Sequence, residues 1–118
     1  MAYVDGFVIP VPKRKVKIYR RMAAKAAKIW REHGALEVRE CVGEHLNIKG
    51  MLTFPKQIRS KPNETVIFSW IVYRSRKQRD KVLKKVMADP RLKGMSPKTM
   101  PFDVKRMAYG GFKVIVAA

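Results

Sequence analysis

Few side chains in this sequence have the types and spacing that metal binding or catalysis requires. The soft metal ligands other than methionine are His33, Cys41 and His45. A closed zinc site needs four ligands at characteristic spacings, and these three match no such pattern. His33 falls in the last turn of a predicted helix, where a cation complements the helix dipole. Cys41 has no partner motif, which favours a structural thiol. We therefore predict no metal, no cofactor and no catalytic residue.

A second group of polar side chains interrupts segments that otherwise have the pattern of buried strands. Polar residues inside strands face a cavity or an interface, or they form ion pairs with a neighbouring strand. If several converge, they could line a small-molecule pocket; structural ion pairs and interface hydrogen bonds are the alternative. The candidates for such a cavity are Asp5, Glu40, Trp70, Arg106 and Tyr109.

Positive charge is the strongest chemical signal in the chain. Its 118 residues include 27 Lys and Arg against 9 Asp and Glu, which gives a formal net charge of +18. Residues 13–31 contain nine cations and no acid, and residues 74–93 contain nine cations and two acids, so these segments hold +16 of the total. Lysine and arginine that neutralise phosphates give salt-dependent, sequence-independent affinity. The predicted polyanion-binding residues are Lys13, Arg14, Lys17, Arg20, Arg21, Lys25, Lys28, Arg76, Lys77, Lys81, Lys84 and Lys85.

Two interpretations of this charge stay open. The first is a surface that binds RNA or DNA. The second is an unusually cationic solvated face, natural or supercharged by engineering for solubility. Nucleic-acid readers usually add aromatic stacking, whereas Tyr19 and Trp30 fall in the apolar stripe of the predicted helix. Either interpretation predicts weak binding to polyanions at low salt.

These side chains must be positioned by alternating strands and helices. Strand segments follow a period of two, and helical segments repeat apolar residues every three or four positions. Ser75 and Gln78 form a capping-box pair at the start of the second helix. The predicted elements are a strand at 2–9 ended by Pro10 and Pro12, a helix at 13–33, a strand at 36–42, a loop at 44–63 with a possible short edge strand at 51–54, a central strand at 65–73, a helix from 75 to 89, and a last strand at 106–116 interrupted by Gly110 and Gly111.

This order of elements predicts one α+β domain over residues 1–118. Strand, helix, strand, then strand, helix, strand is the ferredoxin-like βαββαβ arrangement, a four-stranded, mainly antiparallel sheet with two helices on one face. Both sides of the segment Thr65–Tyr73 are apolar, so the second face also needs cover. We therefore expect a homodimer in which two open sheet faces pack together as a dimeric α/β barrel.

Composition limits the class of protein further. Hydrophobic residues make up 47% of the chain, which is enough to bury a core. No apolar run approaches the roughly 18 residues of a membrane span. An acid near the start, Asp5, argues against a signal peptide. With a single cysteine, we expect a cytoplasmic protein.

Several blocks of the sequence resemble the YbaA-like family, small bacterial proteins of unknown function. The resemblance lies in YVDGFVIPVP at 3–12, WREHGALEVRECV at 30–42, TVIFSWIVYRSRKQRD at 65–80 and MPFDVKRMAYGGF at 100–112. It implies a dimeric α/β barrel with a ferredoxin-like fold and brings no established activity. The wider superfamily includes cofactor-free monooxygenases and small-molecule binders, but we find no catalytic motif to transfer.

The expected function is therefore a homodimeric scaffold of unassigned biochemical role that binds polyanions without specificity. One alternative is an RNA- or DNA-binding protein that uses its basic helix faces. The other is a small-molecule binder or monooxygenase-like enzyme that uses a cavity of the dimer.

Overall fold

Four antiparallel strands form the centre of the molecule. The computed structural model describes residues 1–118, and the strands are β1 (Tyr3–Pro12), β2 (Glu37–Val42), β3 (Glu64–Tyr73) and β4 (Ala108–Lys113). Their order in the sheet is β2-β3-β1-β4, and every neighbouring pair is antiparallel. The two ten-residue strands thus lie in the middle, each flanked by a six-residue edge strand. The predicted α+β class and four-stranded antiparallel sheet are confirmed.

Two long helices cover one face of this sheet. They are α1 (Val16–Glu32), preceded by a single 3-10 turn at Lys13–Lys15, and α3 (Arg76–Met87). Odd-numbered residues of β1 and β3 face them, because side chains alternate along a strand. The helices pack through two buried clusters, one of Ile9, Val11, Tyr19, Ala23 and Ile67, the other of Ala35, Ile71, Tyr73, Val82 and Val86. The predicted cap is present: Ser75 Oγ accepts a hydrogen bond from the Gln78 backbone N–H at 3.1 Å.

Strand β1 continues through the two prolines that were expected to end it. Pro10 pairs with Val66 and Pro12 with Glu64 on β3. Strand β4 pairs with β1 only as far as Val8, so beyond that residue β1 has a free side. The proline nitrogens lie on that free side, because the intervening alternate positions bond to β3, as Lys13 N donates to the Asn63 carbonyl at 2.9 Å. The missing N–H groups therefore cost no ladder bonds.

The segment between β2 and β3 forms a short helix, α2 (Phe54–Gln57), and not a short edge strand. Thr53 caps it by accepting a hydrogen bond from the Lys56 backbone N–H at 3.4 Å, and Pro55 fits its first turn. The Phe54 ring packs against Phe68 of β3 with 5.9 Å between centroids. The loop thereby covers one end of the sheet face that carries no long helix, and Val66 there is only 2% exposed.

The last strand is shorter than the sequence suggested. Val104–Arg106 form a 3-10 turn, because the Asp103 side chain accepts a hydrogen bond from the Lys105 backbone N–H at 3.1 Å. After Lys113 one further ladder bond remains, from Val114 N to the Ala2 carbonyl. Ile115 and Val116 then lie exposed beyond the sheet.

Candidate functional site

The outer face of the helices is a dense field of exposed cations. On α1, Lys17, Arg21 and Lys28 lie opposite the buried Tyr19 and Ala23, as the helical repeat requires. Every predicted polyanion-binding side chain is exposed, and none of them makes an ion pair with an acid. We refer to this set as the cationic face; it comprises Lys13, Arg14, Lys17, Arg20, Arg21, Lys25, Lys28, Arg76, Lys77, Lys81, Lys84 and Lys85.

No aromatic ring is presented among these cations. Tyr19 is 5% exposed, and its hydroxyl donates a hydrogen bond to Glu40 Oε1 at 2.6 Å. Burial, together with the charge of Glu40, raises the pKa of that hydroxyl well above its ordinary value. Trp30, near the end of α1, is partly buried and packs inward against the cluster that includes Tyr73 and Val82. The cationic face therefore offers charge without a stacking platform for unpaired bases.

The opposite face of the sheet is apolar and nearly neutral. Its even-numbered residues in β3 include Phe68, which is 44% exposed, and the half-buried Trp70, whose ring lies 5.7 Å from that of Phe68. Phe112 of β4 is 61% exposed beside them. The charges at the border of this open face, Glu37 and Arg39, pair with each other at 3.3 Å, and Glu37 also accepts the Trp70 indole N–H at 2.9 Å.

A groove of about 510 Å³ lies in this open face. Its floor is formed by Gly6 of β1 and Gly110 of β4, which stand directly opposite each other in the ladder. Its walls are mostly apolar and include Phe68, Trp70 and Phe112. A Cβ on Gly6 would lie 3.3 Å from the Phe112 ring, so the missing side chain lets that ring lie low over β1.

A buried polar cluster lies on the other side of β1, beneath α3. Asp5 is 1% exposed, and its Oδ1 accepts hydrogen bonds from Arg79 Nε and from the Tyr109 hydroxyl, each at 3.2 Å. The Arg79 guanidinium also covers the Tyr3 ring at 5.0 Å from its centroid. Gly111, opposite Asp5 on β4, makes room for this arrangement, because a Cβ there would come within 2.5 Å of Arg79 Nη2. Burial, followed by the charge of Asp5, raises the pKa of Tyr109.

Among the five residues considered for a cavity, only Asp5 and Tyr109 are hydrogen-bonded to each other. Asp5 contacts Tyr109 in the cluster just described. Glu40 bonds to Tyr19 on the helix-covered face, where burial raises the pKa of its carboxyl. Arg106 makes two hydrogen bonds of 2.8 Å to the carboxylate of Glu64. Trp70 lies on the open face, bonded to Glu37. Trp70 and Tyr109 both border the groove in the open face, while Glu40 and Arg106 make their contacts elsewhere.

His33, Cys41 and His45, the three soft metal ligands other than methionine, lie in three different surroundings. His33 Nε2 lies 2.7 Å from Asp89 Oδ2, so a specific partner, in addition to the helix end, accounts for its position. Arg91 adds hydrogen bonds to the same carboxylate from its backbone and guanidinium and lowers the pKa of Asp89 strongly, with His33 as the next cause. Cys41 is half-buried on the open face opposite Phe68, and His45 is exposed in the loop. No group of three or more His, Cys, Asp or Glu side chains is arranged to hold a metal ion.

Sequence reasoning missed the partners of Asp5. Arg79 is one of the nine cations in residues 74–93, yet its side chain is only 16% exposed. The available signals were an acid inside an apolar strand, at Tyr3–Phe7, and the glycine pair 110–111. The structure shows that these two blocks are neighbours in the sheet, since Asp5 pairs with Gly111 and Phe7 with Tyr109.

Fold and surfaces together define a small α+β protein with one helix-covered sheet face, one open apolar face and an outer layer of unpaired cations. No helix in it has the length and apolar character needed to cross a bilayer. The chain belongs to the family described as "Protein of unknown function (DUF1428)", whose model matches residues 2–104. It is 47% identical over 116 residues to the uncharacterized protein YbaA of Escherichia coli strain K12, covering 98% of both chains. The YbaA protein of Shigella flexneri matches to the same extent. The predicted resemblance to this family is confirmed.

A solved structure of low sequence identity has a similar fold. The uncharacterized NIPSNAP domain protein from Burkholderia xenovorans superposes with a TM-score of 0.59 at 14% identity, covering 98% of this chain and 95% of that one. At this identity the likeness concerns the fold alone.

Proposed function

We propose that this protein is a homodimeric scaffold whose cationic face binds the phosphate backbone of nucleic acids without reading their sequence. The observation that carries the proposal is that all twelve cations of the cationic face are exposed and have no acidic partner in the chain. From Lys17 to Lys28 the row on α1 is about 16 Å long, since a helix rises about 1.5 Å per residue. Duplex DNA carries one charge per roughly 1.7 Å, so this row meets several phosphates.

Duplex or folded nucleic acid fits this face better than an unpaired strand. Single-strand binders gain affinity by stacking bases on aromatic side chains. Here Tyr19 is buried and Trp30 lies in the core, so no ring is available beside the cations. Backbone contacts alone position a protein on a duplex and carry no sequence information.

Dimerisation through the open face completes the proposal. The strand order β2-β3-β1-β4 with helices on one side supports a ferredoxin-like topology, and pairing two such sheets makes a dimeric α/β barrel. The helices of each copy repel those of another, whereas the open face carries exposed Phe68 and Phe112 and an internally paired Glu37 and Arg39. A second copy is therefore the occupant that the charges allow. A reducing compartment such as the cytoplasm suits the unpaired thiol of Cys41.

The nucleic-acid proposal is tested by the salt dependence of binding to unrelated DNA and RNA duplexes and to matched single strands. Two variants of equal net charge separate the cationic face from charge in general. The face variant carries Lys17→Gln, Arg21→Gln, Lys25→Gln and Lys28→Gln. The control variant carries Lys49→Gln, Lys56→Gln, Lys61→Gln and Lys98→Gln, all at exposed positions on loops or α2.

We expect uniform affinity across sequences that falls by orders of magnitude between about 50 and about 200 mM salt. The face variant should lower the slope of log affinity for duplex DNA against log salt by up to about 3.6, because it removes four cations, and the control variant should change it much less. Equal loss in both variants would show that affinity follows net charge alone. A sequence preference that survives near-physiological salt would refute readout limited to the backbone.

The dimer is tested by sedimentation equilibrium at micromolar concentration. Phe112→Glu on the open face should give a monomer, because it places an unpaired charge in the interface. Met87→Glu, at an 80% exposed position on α3, is the matched control and should stay dimeric. A monomeric wild-type chain would refute the dimer.

A second candidate function is favoured by the apolar groove floored by Gly6 and Gly110. Its volume of about 510 Å³ lies in the range of small-ligand sites, and a second copy would enclose it. A flat aromatic probe such as a naphthalene derivative should then quench or shift the fluorescence of Trp70 and leave that of a Gly110→Leu variant unchanged. Equal responses in both proteins would exclude the groove as the binding site.

A further inference from the structure

The cationic face and the open apolar face lie on opposite sides of the sheet. Ile71 of β3 packs in one cluster with Val82 of α3, whereas Phe68 of the same strand lines the groove in the open face. The cations lie on the outer side of the helices, away from the sheet. One protomer therefore presents its charge in one direction and its apolar surface in the other.

Pairing of two open faces turns the two cationic faces away from each other. The chain is flat, as one layer of helices on one sheet should be, and measures 39 × 37 × 20 Å between its outermost Cα atoms. Sheets packed face to face lie about 10 Å apart, so the cationic faces lie on opposite surfaces of the dimer, about 50 Å from each other. The two faces cannot combine into one continuous binding surface.

A duplex bound to one of these surfaces leaves the other surface unneutralised. Duplex DNA has a persistence length of about 150 bp, so a short duplex stays nearly straight and does not turn around the dimer. The twelve cations of the second face are exposed and have no acidic partner within the chain. They remain available to the phosphates of a second duplex.

We propose that the dimer bridges two nucleic-acid duplexes, one on each cationic face. Bridging rests on the proposed function, because it requires both backbone binding and pairing through the open faces. It is a different activity, since a protein with one cationic surface coats a single duplex, whereas this dimer holds two duplexes together. Like the binding of one duplex, bridging should be independent of sequence and should weaken as salt rises.

Bridging is tested by the capture of a fluorescent duplex on beads that carry an unlabelled duplex of unrelated sequence, at about 50 mM salt. Fluorescence anisotropy measures the binding of the protein to each duplex separately. We expect the wild-type protein to retain the fluorescent duplex and to lose this retention at large excess over DNA, because every duplex is then covered by its own dimers. Retention that only increases with protein would indicate aggregation by charge and would overturn the proposal.

Two variants of equal charge separate bridging from binding. Phe112→Glu, which should be monomeric, keeps one intact cationic face, so it should bind each duplex and retain no second one. Met87→Glu, compared at equal occupancy of the bead duplex, should retain the second duplex as the wild type does. Binding without retention in the wild type, or equal retention in both variants, would overturn bridging alone. Absence of duplex binding by the wild type would refute the proposed function itself.

A measurement on the wild-type protein does not depend on how the variants fold. Sedimentation velocity with a short duplex in excess should show a particle that contains two chains and two duplexes. A particle of two chains and one duplex would overturn the proposal, because one duplex would then occupy or block both cationic faces.

Discussion

Gly111→Ala should destabilise the protein, although alanine fits an ordinary strand. Gly111 has no left-handed backbone angle, so the penalty arises from space alone. A Cβ there would lie 2.5 Å from Arg79 Nη2 and closer still to the Tyr3 hydroxyl. Both groups must move, and Arg79 is the cation that pairs with the buried Asp5 at 3.2 Å.

The magnitude follows from two limits. Overpacking a well-packed site costs about 1 to 3 kcal/mol. Complete separation of a buried ion pair costs about 3 to 5 kcal/mol, but Arg79 ends near the surface and can move without losing Asp5 entirely. We therefore expect Gly111→Ala to lower the free energy of unfolding by about 2 kcal/mol.

The adjacent glycine is the matched control. A Cβ on Gly110 points to the open face, and its nearest neighbour is the Phe112 ring at 3.7 Å, an ordinary contact. Gly110→Ala should therefore leave stability unchanged or raise it by less than about 1 kcal/mol, because it restricts the unfolded chain. Urea unfolding at constant salt measures both. If the two variants are equally stable, the close approach of Arg79 and Tyr3 to β4 does not contribute as argued.

Four further measurements follow from other contacts. Asp89→Asn should be less stable than wild type near pH 6, and the difference in free energy of unfolding should shrink below about pH 4. Folding lowers the pKa of Asp89, chiefly through Arg91, so the carboxylate stabilises the folded state above its unfolded pKa. This stabilisation is lost as the pH falls. Ser75→Ala should cost about 1 kcal/mol in urea unfolding by removing the α3 cap. Val82→Ala, at a 0% exposed position, should cost about 2 kcal/mol, while Val116→Ala at 80% exposure should cost nothing measurable. The wild-type melting temperature should rise from low to moderate salt, since salt screens the repulsion among unpaired cations; a flat or falling value would contradict this.

The sheet and its two helices could be predicted because local patterns decide them. Side-chain alternation along Thr65–Tyr73 is enough to place Ile67, Ile71 and Tyr73 against the helices and Phe68 and Trp70 on the open face. The Ser75 cap and the exposure of the cations follow from the same short-range periodicity. The strand through Pro10 could not be predicted, because its outcome depends on where β4 stops pairing.

The buried polar cluster around Asp5 could not be predicted because its members come from three elements, β1, α3 and β4. Asp5 and Arg79 are 74 residues apart, and no periodic pattern relates them. Among so many arginines, the one that turns inward has no distinguishing sequence feature. The arrangement depends on the register of β1 against β4, which places Gly111 opposite Asp5 and leaves space for the guanidinium.

Lysine side chains form no ion pair in this structure, whereas some of the arginines do. Every ion pair in the structure uses arginine or histidine, and none uses lysine. Arginine suits this task because its planar fork can bond several acceptors, as Arg106 does with Glu64 and Arg91 with Asp89.

Almost all the acids are occupied by such internal contacts. Asp5, Glu32, Glu37, Glu64, Asp80 and Asp89 form ion pairs, Glu40 bonds to Tyr19, and Asp103 caps a turn. The ninth acid, Glu44, lies in the loop after β2 and forms no ion pair. The lysines of α1 and α3 therefore contribute charge to the surface and no ion pair to the fold. Their removal should reduce repulsion and leave the core intact. Loss of polyanion binding in the face variant can consequently be attributed to the surface itself, because the same substitutions leave every stabilising ion pair in place.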